Sequence, residues 1–124
     1  MLASEFFKQW YKHFAADVDP KFMKDHVYSK GNYPWHIFSF EKVKVVAGGE
    51  AYSRFLSLFE DSECYYLEGF DFENGVVEKV KDRQEVIALM EEGYEVYVTE
   101  VNFKWTFVWT HESYWCGPYL AFKK

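Results

Sequence analysis

The sequence predicts an α+β domain: a mostly antiparallel sheet of about five or six strands with three or four helices packed on one face, in the order ααβαββαβββ. Three observations carry this. The N-terminal residues repeat apolar pairs at helical spacing. The C-terminal third alternates aromatic or β-branched residues with polar ones at a period of two. Adjacent strand segments are joined by turn signals, Asn74-Gly75 being the strongest. The 124 residues are expected to form one domain, 1–124.

The first helix is expected over roughly residues 2–16, where Leu2-Ala3, Phe6-Phe7, Trp10-Tyr11 and Phe14-Ala15 recur every fourth position. A repeat of four against 3.6 residues per turn makes this stripe drift by about 40° per turn, so the helix wraps across a surface. Asp19-Pro20 reads as an N-cap followed by proline at the first helical position of a second helix, ending near Gly31. Asn32-Tyr33-Pro34 is a turn. Trp35–Phe40, rich in strand formers, is the first strand candidate. Gly48-Gly49 precedes a third helix over about 50–59. Cys64–Leu67 is the second strand, running toward the Asn-Gly turn, and Val76-Val77 starts its return. Asp82 to Glu85 has capping-box spacing, and Gly93 stops the helix it opens. Residues 94–99 and 103–110 are strands around a turn at Asn102, with Tyr119–Phe122 as the last strand.

Hydrophobic residues make up 49% and charged residues 27% of the chain, which excludes disorder. No apolar run approaches the roughly 20 residues of a spanning helix, and Met1–Glu5 lacks the start of a signal peptide. Cytoplasmic localisation is therefore expected, with Cys64 and Cys116 reduced and serving as small core residues. The net charge is −6. Residues 1–58 hold 8 Lys+Arg and 6 Asp+Glu, whereas residues 59–124 hold 6 and 14. This asymmetry argues against direct nucleic-acid binding. It is either solubility charge or a surface for a basic protein partner formed by Glu60, Asp61, Glu63, Asp71, Glu73, Glu91, Glu92 and Glu95.

The aromatic stripe Phe103, Trp105, Phe107 and Trp109 could stack single-stranded bases only inside a basic groove, so core packing against the first helix is expected instead. His36, His111, Glu112 and Cys116 could converge if their strands are neighbours, giving a pocket for acid–base chemistry or a ligand. Their spacing matches no metal signature, so no metal and no cofactor is expected. There is no Gly-x-Ser-x-Gly elbow and no phosphate loop.

Trp35-His36-Ile37-Phe38-Ser39, Cys64-Tyr65-Tyr66 and Trp105-Thr106-Phe107-Val108-Trp109-Thr110-His111-Glu112 together resemble a family of small single-domain proteins of unknown function from bacilli and related Gram-positive bacteria. The likeness runs from about residue 5 to residue 122. It implies a bacterial cytosolic protein, supplies no activity, and gives weight to His36, His111 and Glu112. The leading expectation is a non-enzymatic interaction module, such as an immunity protein or inhibitor of a basic partner. The alternative is a small enzyme or ligand binder using His36, His111 and Glu112.

Overall fold

The computed structural model describes residues 1–68, 75–113 and 117–123. The chain runs α1 (Ala3–Phe14), α2 (Pro20–His26), α3 (His36–Ser39), β1 (Val46–Ala47), α4 (Gly48–Glu60), β2 (Cys64–Glu68), β3 (Glu78–Lys79), α5 (Arg83–Glu91), β4 (Val96–Glu100), β5 (Trp105–Trp109) and β6 (Tyr119–Phe122). All strand pairs are antiparallel, in the order β1-β6-β5-β4-β2-β3. The α+β class and the antiparallel sheet are as the sequence predicts.

Two elements differ from expectation. Trp35–Phe40 is not a strand. Its amides turn back within the segment, Phe40 N–H donating to the His36 carbonyl at 3.0 Å and Lys42 N–H to that of Ile37 at 2.9 Å. The run is apolar enough for either conformation, and a single turn suffices to bury Trp35, Ile37 and Phe38. The first strand is instead the two-residue β1, which pairs Val46 with Leu120. Asp71, Glu73 and Asn74 of the expected Asn-Gly turn lie outside the described residues, as does Cys116.

The helices cover both faces of the sheet rather than one. On one face, Phe6, Phe7, Trp10 and Phe14 of α1 pack with Tyr97, Val108 and Tyr119, together with residues of α2 and α3. On the other, Ala51, Phe55 and Phe59 of α4 and Val86 and Met90 of α5 pack with Val96, Val98, Trp105, Phe107 and Leu120. The aromatic stripe therefore does not meet α1 as expected. Phe107 stacks on Phe55 of α4 at 4.0 Å between ring centroids, and Trp109 meets Tyr52 of α4 at 5.5 Å. Only Phe103 reaches α1, 5.6 Å from Phe6. Its φ of 59° places it in the turn before β5, out of the strand's alternation. Trp10 faces the alternate residue, its indole N–H donating to Thr106 Oγ1 at 2.9 Å.

The caps predicted at Asp19, Asp82 and Gly93 are in place, whereas α2 ends at His26 with Val27 as its cap, short of the expected Gly31. Asp19 and Asp82 accept from Lys21 N–H at 2.9 Å and Gln84 N–H at 3.0 Å. Gly93, with φ 91°, closes α5: its N–H bonds to the Met90 carbonyl and that of Tyr94 to Leu89, a Schellman arrangement. Glu100 fastens the β4–β5 turn by accepting from the N–H groups of Asn102 and Lys104 at 3.0 and 3.1 Å. Cys64 is buried, and burial pushes its thiol up to about 12, so it is an inert core residue.

Candidate functional site around Glu95 and His111

Tyr33, Trp35 and Tyr119 form a column of near-parallel rings. The Tyr33–Trp35 centroids are 5.6 Å apart at 4°, and those of Trp35 and Tyr119 are 6.3 Å apart at 21°. Trp35 enters this column through the helical turn α3, Tyr119 through β6. Both histidines of the candidate pocket lean edge-on against it. His36 is 4.6 Å from Trp35 and 5.4 Å from Tyr33; His111 is 5.9 and 5.2 Å from the same rings.

The imidazoles share aromatic walls but not polar partners. His36 Nδ1–H donates to the His26 carbonyl at 2.9 Å, which ties α3 to the end of α2. His111 Nδ1 instead bonds to Glu95 Oε1 at 3.1 Å. The same oxygen accepts the Trp35 indole N–H at 2.7 Å. Glu95 is 2% exposed, and its Oε2 is buried with no hydrogen bond among the described residues. Burial pushes the carboxyl pKa up, against the opposing pull of the His111 and Trp35 bonds. Glu95 is thus no part of an exposed acidic surface. It is a buried anchor connecting α3, the start of β4 and the loop after β5.

That loop is itself clamped. Thr110 N–H donates to Ser113 Oγ at 2.9 Å, and Glu112 N–H to Thr110 Oγ1 at 3.2 Å. His111 is held with Nδ1 inward, while Nε2 lies 3.9 Å from Glu112 Oε1. With Glu95 accepting, the neutral ring carries its proton on Nδ1 and Nε2 is the accepting nitrogen. His111 borders a cleft of about 270 Å³, with Met90 and Trp109 as apolar lining and Glu91 contributing a carboxylate. Among the described residues, no three His, Cys, Asp or Glu side chains are grouped to hold a metal ion.

The remaining acidic residues divide. Glu60, Asp61 and Glu63 are exposed at the end of α4, where Arg83 donates to the Phe59 and Ser62 carbonyls at 2.7 and 3.2 Å. Glu91 and Glu92 are exposed at the far end of α5, a helix about 13 Å long. Among the described residues, the exposed members of the acidic set therefore form two groups, one at each end of α5, and only the second adjoins the His111 cleft.

The family model described as a domain of unknown function, DUF4275, matches residues 2–120. The chain belongs to the DUF4275 family. No curated protein and no solved structure matches the chain. The match takes in strands β1 to β5 of this DUF4275 sheet, the first two residues of β6 and the residues of the Glu95–His111 site. No helix among the described residues is long and apolar enough to cross a membrane.

Glu95 and its role were not legible as a site from sequence, where it stood among surface carboxylates. The one local signal was its position against Val96-Tyr97-Val98, a run in which every residue is buried.

Proposed function

We propose that this DUF4275 protein is a binding module for a basic protein partner, and that a cationic group of that partner enters the His111 cleft. The observation that supports this most is the presence of two carboxylates, Glu91 and Glu112, around the outer side of His111. Glu91 shares the cleft with the imidazole, and Glu112 Oε1 is 3.9 Å from Nε2. No Lys or Arg among the described residues forms an ion pair with either carboxylate. A lysine or arginine head group would meet the Glu91 carboxylate and an accepting nitrogen there, with its stem against Trp109 and Met90 and with the Glu112 carboxylate 3.9 Å from that nitrogen. An immunity protein or inhibitor acting in the bacterial cytoplasm on a basic enzyme, such as a nuclease, is the function class that fits.

An octa-arginine peptide tests the proposal, read by NMR of the His111 ring. The ring resonances should shift saturably. Association should slow by roughly tenfold or more between low and high salt, as electrostatic steering requires. Glu91→Lys should slow it further with an unchanged melting temperature. A salt-indifferent rate, or equal association by Glu91→Lys, would overturn the proposal.

The Glu95–His111 bond favours a second reading. A buried carboxylate that fixes the imidazole tautomer also prepares Nε2 to take a proton, as a general base does. This reading requires turnover of a substrate, which binding a basic partner does not.

A further inference from the structure

We infer that the cleft at the β1–β6 edge of the sheet binds a small carboxylic acid with an apolar tail. This inference is independent of the His111 site. The cleft measures about 440 Å³, within the roughly 300–1,000 Å³ of small-molecule sites. Val45, Val46, Leu120 and Phe122 give it an apolar lining. Three cations, Lys44, Arg54 and Lys123, line the same space. In a chain of net charge −6, this concentration of positive charge is a local exception.

The three cations come from different elements. Lys44 precedes β1, Arg54 projects from α4, and Lys123 follows β6. None forms an ion pair with a carboxylate among the described residues. Arg54 is also positioned: its guanidinium lies over the Phe122 ring, 5.2 Å from the centroid. A guanidinium held on an aromatic face keeps its edge N–H groups for a planar, two-oxygen acceptor, the geometry of a carboxylate. The apolar lining then takes a tail. Charge complementarity and chemistry together select an anionic amphiphile.

The same edge discourages an added peptide strand. β1 offers only Val46 and Ala47, and Lys44 stands beside it, both of which oppose strand addition. A free acid needs no such pairing.

Dodecanoate below its micelle concentration is the probe, with calorimetry for stoichiometry and backbone amide NMR for location. We expect saturable one-to-one binding, with shifts confined to Val45, Val46, Leu120, Phe122 and their neighbours. The double variant Lys44→Gln/Arg54→Gln should bind roughly tenfold more weakly or worse, the worth of one charge-assisted hydrogen bond. Both side chains are exposed, so its melting temperature should match the parent. Dodecyltrimethylammonium, with the same tail and the opposite charge, should not bind. The inference is overturned by absence of saturable binding, by equal affinity in the double variant, by equal affinity for the cationic amphiphile, or by shifts elsewhere. It is also overturned if an acidic peptide lacking an apolar tail binds the cleft as tightly, since that would make it a peptide-docking edge.

Discussion

Trp10→Ala and Trp105→Ala should each destabilise the protein by about 3–5 kcal/mol, although they remove rings from opposite faces of the sheet. Trp105 is 4% exposed and meets Phe55 of α4 edge-on at 6.0 Å. Trp10 is fully buried and touches Phe7, Phe14, Phe38 and Tyr97. Either truncation leaves a cavity among rings fixed by other elements, and such cavities collapse only partly. Trp10→Phe should cost less. It keeps most of the ring area, and Thr106 Oγ1 retains its 2.8 Å contact with Thr99, so the lost hydrogen bond is worth about 0.5–1.5 kcal/mol. Urea titration gives these differences, and melting temperatures should fall on the order of 10 °C for either alanine variant. A Trp105→Ala variant that melts with the parent would place its ring outside the core.

The positions of these two tryptophans show where sequence patterns were sufficient. The drifting stripe of α1 was legible because twelve residues span enough turns for a period to show, and all five of its buried residues belong to that stripe. The caps of α5 were legible because Asp82 and Gly93 act on their own backbone neighbours. Sidedness was not. Alternation along β5 marks two faces, but Thr106 and Val108 look like a solvent face until Trp10 and its neighbours are seen to cover it. A strand buried on both faces has lost the contrast that alternation depends on. The four residues of α3 are shorter than any period, so their aromatic content pointed to a strand. The polar site was hidden for a different reason. Glu95 is separated by 60 residues from Trp35 and by 16 from His111, and no local rule brings these together. The sequence singled out His111 and Glu112 but put Glu95, the residue that orients His111, on the surface.

Glu95 should leave its mark on the pH dependence of stability. Its folded carboxyl holds a proton more tightly than the unfolded one, because burial disfavours the charged form. The resulting contribution to stability is full below the ordinary glutamate value near 4.5 and is lost as pH rises through the raised folded value. Glu95→Ala removes both the titration and the acceptor for Trp35 and His111. Under acid conditions it should cost about 1–3 kcal/mol, the penalty for a buried donor left without a partner. That deficit should shrink as pH rises, because the parent loses its advantage while the variant does not. Glu95→Gln, which keeps an oxygen for the Trp35 N–H, should lie closer to the parent and show a flatter profile. Tyr97 does not interfere, since burial holds its phenol well above the ordinary value and therefore neutral across this window. His111 does interfere, and in a known direction: its bond and charge pull the Glu95 pKa down. His111→Gln should therefore extend the decline to higher pH. Chemical denaturation of the parent and the three variants from pH 4 upward measures all of this. A Glu95→Ala deficit that stays constant or grows with pH would mean that the buried carboxyl is ionised throughout and that the His111 and Trp35 bonds outweigh its burial.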